Sequence, residues 1–118
     1  MGIRDYRDLE VWQRAMELQD AAYDVARRLP IEERHNLASQ IRRASVSVPA
    51  NIAEGHSRPD RADYRRFVGI ARASARELES HLECVITARY RTRADLKKAL
   101  SLADRVSRML ERLHEALE

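Results

Sequence analysis

The residues Ala44 to Ala53 read ASVSVPANIA and hold no ionisable side chain, in a chain that is 35% Asp, Glu, Lys and Arg. A surface helix keeps a charged face toward water, so a helix that is small and apolar on nearly every side must be covered on more than one side. The stretch therefore predicts a helix enclosed both by its own fold and by a sister chain. It belongs to a second helix expected over about 31–54, with Leu37, Ile41, Ala44, Val48 and Ile52 inward and Gly55 as the left-handed residue past its end. Pro49 falls inside, removing one backbone donor and crowding the carbonyl of Ser45, so a bend near Ser45 to Pro49 is expected.

Working outward, Val11, Ala15, Leu18, Ala22, Val25 and Leu29 step by four and three, the stripe of a first helix over about 8–29 that Asp8 can cap. Trp12, Met16, Tyr23 and Ala26 widen it, and Pro30 marks its stop. Ser57 with Asp60 resembles a capping box opening a third helix over about 58–89, with Tyr64, Phe67, Ala71, Ser74, Leu78, Leu82 and Val85 as its core line. Thr92 with Asp95 repeats that logic before a fourth helix over about 93–117, cored by Leu96, Ala99, Ala103, Val106, Leu110, Leu113 and Leu117. Short connections between such helices imply an all-α fold, an antiparallel up-down-up-down four-helix bundle with left-handed packing near ~20°.

The composition agrees. With 118 residues, three Gly, three Pro, one Phe and one Trp, the chain fits one helical domain spanning 1–118. A formal charge of +3, with Lys97 and Lys98 the only lysines, is a mild lean toward anionic partners that Arg would meet. The single cysteine, Cys84, excludes an intramolecular disulfide framework and suits a reducing compartment, so a cytoplasmic location is expected. No apolar run approaches the roughly 20 residues that span a bilayer, and the first residues lack a leader's apolar stretch, so no membrane association is expected.

Beside its core line the second helix carries Gln40, Ala44, Ser47, Asn51 and Glu54, stepping by four and three within about 80°. Opposite lie Ala38, Arg42, Ser45, Val46, Pro49 and Ala53. Small side chains permit close backbone approach, either by neighbouring helices of the same chain or by another subunit. Trp12, Gln40, Val46, Ser47, Pro49, Ala50, Asn51, Ala53, Glu54 and Gly55 are the candidate residues of an oligomer interface or structural motif, and a closed homo-oligomer is expected.

On the third helix Arg61, Arg65, Arg72 and Arg76 fall within about 60° of one another. In a hairpin turning near His56, Arg42 and Arg43 come level with Gly69 and Ile70 and are expected to extend this patch. The six arginines are the candidate nucleic-acid contacts, acting on phosphates as positioning charges. Against this stand Asp60, Asp63, Glu77, Glu79 and Glu83 as intrahelical partners. Sequence readout is not expected, since there is no recognition-helix motif, stacking platform or glycine-rich phosphate loop.

Glu77, His81 and Cys84 share a helical face, but a bundle metal site draws ligands from facing helices, so no metal is expected. His35, His56 and His114 lie near expected helix ends. No nucleophile motif, cofactor fingerprint or cluster of catalytic carboxylates is present, so the chain reads as non-enzymatic and without cofactor.

The stretches DLEVWQRAMEL (Asp8 to Leu18), QIRRASVSVPANIAEG (Gln40 to Gly55) and YRRFVGIARASARELE (Tyr64 to Glu79) resemble the four-helix-bundle proteins encoded in intervening sequences of the bacterial 23S ribosomal RNA gene. The resemblance covers nearly the whole chain and implies a ring-like homopentamer. It also implies kinship with the accessory protein of diversity-generating retroelements, which binds a reverse transcriptase and nucleic acid. Trp12, Gln40, Arg42, Arg43, Ser47, Pro49, Asn51, Glu54 and Gly55 sit in the matching motifs. Two functions follow as expectations: a nucleic-acid-associated oligomeric scaffold for RNA or DNA, or a protein-interaction adaptor, for example for a reverse transcriptase, without nucleic-acid contact.

Overall fold

The computed structural model describes residues 5–118, so the expectation about the leader at the first residues lies in part outside it. A 3-10 turn at Tyr6–Asp8 leads into α1 (Glu10–Arg27), and a second at Ile31–Glu33 precedes α2 (Leu37–His56). The elements α3 (Arg61–Thr87) and α4 (Lys97–Ala116) complete the chain, with no strand among the described residues. Each helix packs on the next and α4 closes on α1. Ser47 meets Ser74, Glu79 meets Ser107 and Arg105 meets Glu10, the pairings of antiparallel neighbours. The resulting bundle measures 47 × 25 × 21 Å.

Leu18, Ile41, Ile52, Leu78, Leu82 and Leu110 are the larger apolar side chains fully withdrawn from solvent. On α3 the core line is rotated slightly from the expected one: Val68 and Ala75 are buried, while Tyr64 and Phe67 are half-buried. The Phe67 ring lies under the guanidinium groups of Arg58 and Arg66, at 4.9 and 4.5 Å, which lets an aromatic sit at the rim with a cation over its face.

Helix ends depart from the expected caps, each for a local reason. Asp8 caps nothing: Asp5 accepts from the Arg7 amide at 2.8 Å and closes the first 3-10 turn, and Leu9 precedes α1 without a side-chain cap. Pro30 opens a 3-10 turn instead of a helix, and α2 starts at Leu37, whose amide donates to the Glu33 carboxylate at 3.3 Å. Ser57 donates to the Glu54 carbonyl at 2.8 Å and so ends α2, leaving Asp60 to cap α3 by accepting from the Ala62 amide at 3.0 Å. Thr92 and Asp95 form a reciprocal box, the Thr92 amide donating to Asp95 at 3.0 Å and the Asp95 amide to the Thr92 hydroxyl at 3.2 Å, but it closes a turn instead of capping α4, which starts only at Lys97 after Leu96.

Gly55 is not a left-handed residue past a helix end. It is buried inside α2, and a Cβ there would stand 2.8 Å from the Cβ of Phe67, so the glycine permits α2 and α3 to touch. The left-handed position belongs to Arg89, with φ 65°. There the Tyr90 amide donates to the Val85 carbonyl at 3.1 Å and the Arg89 amide to Ile86 at 2.9 Å, satisfying the last carbonyls of α3 as a Schellman turn. Pro49 is buried within α2, which continues to His56, and the Ser45 hydroxyl donates to the Arg42 carbonyl at 2.9 Å.

The uncharged stretch is enclosed mainly by its own chain. Ala44, Ser45, Val48, Pro49 and Ile52 are all buried, as is Ala38, because α2 packs against both α1 and α3. Its own fold therefore supplies most of the cover that its composition calls for. Val46, 40% exposed, and Ala50 are what it shows to solvent.

Candidate nucleic-acid interface

The arginine stripe of α3 forms as the spacing predicts, but it faces α4. Arg61 donates to the carbonyl of Ala116 in the last turn of α4, and Arg65 pairs with Glu118 at 3.2 Å. A cation at a helix C-terminus meets the negative end of the dipole and carbonyls that lack intrahelical donors. Arg76 pairs with Glu79 at 3.2 Å on its own helix. Arg72 is half-buried and has no ion pair among the described residues.

His114 sits among these cations, across from Gly69, where an added Cβ would lie 3.5 Å from its Nε2. Burial, then the charges of Arg65 and Arg72, hold its pKa below the ordinary imidazole value, partly offset by Glu118 and Glu115. Neither His114 nor the carboxylate of Glu118 was identified from sequence as part of this stripe. Counting out from the midpoint between Arg91 and Thr92 puts residues 114–118 level with 65–69, and that register is the signal the sequence offers.

Arg42 and Arg43 do not extend the stripe. Arg43 lines an open groove of about 620 Å³ between α2 and α3, together with Gln40, Ser47, Ser74 and Glu77. Glu77 lies about 120° around α3 from Arg65 at ~100° per residue, so the bundle separates the two sets. A second groove, lined by Tyr23, Arg42, Arg43, Val46 and Ser47, puts both arginines at the edge of α1. Neither has an ion pair among the described residues, whereas Arg61, Arg65 and Arg76 are engaged.

The interface candidates also separate. Pro49 and Gly55 are buried in the protomer and cannot meet another subunit as it stands. Ser47 shares a 2.8 Å hydrogen bond with Ser74, and Asn51 donates to Ser47 at 2.9 Å, so these polar groups bind each other across α2 and α3. Gln40 donates to Asn36 at 3.1 Å, and Glu54 pairs with Arg58 at 3.1 Å. Trp12, Val46, Ala50 and Ala53 keep surface, with Met16 exposed on the same α1 edge.

The Nε2 atom of His81 lies 3.1 Å from Glu77, and Cys84 is exposed one turn further on. No three His, Cys, Asp or Glu side chains converge as a metal set among the described residues. None of the described helices is long and apolar enough to cross a membrane.

Residues 7–112 match the family described as 23S rRNA-intervening sequence protein. The chain belongs to that family. Its fold is also that of a crystal structure from Bacteroides thetaiotaomicron VPI-5482, a protein of unknown function from the S23 ribosomal protein family. The two share 25% sequence identity and a TM-score of 0.81 over 88% of this chain and 97% of the other. No curated protein matches the chain. The matched region covers α1, α2 and α3 whole and α4 as far as residue 112, so the arginines of α2 and α3 lie within it.

Proposed function

We propose that this family member is a non-enzymatic, cytoplasmic scaffold that associates with nucleic acid through phosphate contacts. The supporting observation is the exposed or half-buried position of Arg42, Arg43 and Arg72 without carboxylate partners among the described residues. Arg61, Arg65 and Arg76 contribute as local positive field, since each is already engaged. Guanidinium groups on helices position a backbone without reading its sequence. The family's name associates it with a ribosomal RNA gene, which favours RNA as the ligand.

Self-association fits the same reading. Met16 on α1 and Val46 and Ala50 on α2 are exposed and Trp12 is half-exposed, and homo-oligomers bury apolar surface of this kind. A pentamer is the state implied by the resemblance. The same apolar surface favours the second reading, an adaptor that docks a protein such as a reverse transcriptase and leaves nucleic acid to that partner.

The triple variant Arg42→Glu/Arg43→Glu/Arg72→Glu tests this site in a gel-retention assay with an RNA duplex. Loss of retention with an unchanged thermal melt is the expected result. Unchanged retention by the folded variant removes these side surfaces as the site and favours the adaptor.

A further inference from the structure

The surplus positive charge of the chain gathers at one end of the bundle, where two connections far apart in sequence meet. The Tyr90 hydroxyl donates to Glu33 at 2.7 Å, and the Arg91 guanidinium donates to the Arg28 carbonyl at 2.9 Å. These bonds fasten the α3–α4 connection to the α1–α2 connection. Segments 27–35 and 89–98 hold eight Arg and Lys against three carboxylates. Counting also Asp24 and Glu83, which pair with Arg27, Arg28 and Arg93, the excess is still the whole formal charge of +3. The rest of the bundle is balanced.

At this end Glu33, Asp95 and Glu83 are tied down, Glu32 is exposed, and Arg27, Arg28, Arg91 and Arg93 are engaged, which leaves three cations free among the described residues, Lys98 aside. Glu33 accepts from Tyr90, the Leu37 amide and Asn36, which hold it below the usual carboxylate range. Asp95 is held low by the Thr92 amide and hydroxyl, and Glu83 by Arg93. Arg34, Arg89 and Lys97 are exposed, with no ion pair among the described residues. Arg89 holds the left-handed position that ends α3. Lys98 is different, since it shares a groove with Asp20, Asp24 and Asp95.

We infer that this end, through Arg34, Arg89 and Lys97, is a docking surface for the phosphate backbone of a nucleic-acid duplex. It is a site separate from the arginines on the sides of α2 and α3. A docked peptide draws its affinity from buried apolar or aromatic anchors, and among the described residues this end exposes one large apolar side chain, Ile31, beside a shallow groove in which half-buried Leu100 lies with Lys97. Phosphate contacts need no such anchors, because released counterions supply the affinity. The end face, 25 × 21 Å in section, is broad enough for its three cations to reach several phosphates.

The triple variant Arg34→Glu/Arg89→Glu/Lys97→Glu tests this beside the wild type and the α2/α3 variant above, each titrated with a labelled duplex of about 20 base pairs. Affinity is expected to drop at least about tenfold at 100 mM salt, and the slope of log affinity against log salt to shrink by about 0.9 for each DNA phosphate that the variant no longer neutralises. Should reversal unfold the protein, Arg34→Gln/Arg89→Asn/Lys97→Gln gives the same reading with less perturbation. Unchanged binding by a folded end variant overturns the inference, and if the α2/α3 variant alone loses binding the proposed function stands without it. If the wild type retains no duplex, both fall. Retention on anionic phospholipid vesicles but on neither RNA nor DNA also overturns it, and identifies a membrane-surface site.

Discussion

The two seams of α3 are built from different materials. Toward α2 the contact is small and neutral: Gly55 lies against Phe67, and Ser47 shares a hydrogen bond with Ser74 while accepting from Asn51. Toward α4 it is ionic: Arg61 holds the Ala116 carbonyl, Arg65 pairs with Glu118, and Glu79 accepts from the buried Ser107 at 3.0 Å. The neutral seam depends on the absence of volume. The ionic one depends on charges that are half-exposed and screened by salt. A helix with arginines on one face is therefore not yet a free basic surface, since the neighbouring helix end can occupy them.

This contrast is open to measurement. Gly55→Val places a side chain where Phe67 and Tyr64 leave no room, so thermal or urea unfolding should show a loss of about 3 kcal/mol. A stability near that of the wild type would mean that the neutral seam is not tightly closed. Glu79→Ala leaves the Ser107 hydroxyl buried without this acceptor and should cost about 1–2 kcal/mol. Adding Ser107→Ala should return most of that loss. Failure of the second change to compensate would place the cost elsewhere on α3.

Much of the fold was legible because apolar spacing survives in sequence. The stripes of α1 and α4 were read from steps of four and three, and the Thr92 and Asp95 box was read from its residue types. Gly55 was misread because a glycine near a helix end has two uses, a left-handed turn or close approach, and only the partner Phe67 decides between them. The uncharged stretch is expected to need a sister chain as well as its own fold, because sequence does not show how fully α1 and α3 cover α2. The α3 arginines were legible as a stripe, whereas their partners Ala116 and Glu118 lie some fifty residues further along the chain. The basic end was not legible at all, since Arg34, Arg89 and Lys97 converge only after the bundle closes.

The most direct test of a phosphate-contacting scaffold is the salt dependence of wild-type binding to an RNA duplex and to the matching DNA duplex, measured between about 50 and 200 mM salt. Contacts by three to six of the cations Arg34, Arg42, Arg43, Arg72, Arg89 and Lys97, which have no ion pair among the described residues, predict a linear fall of log affinity against log salt, with a slope of about −3 to −5 at about 0.9 per phosphate. A slope near zero, or no binding at the lowest salt, would contradict it.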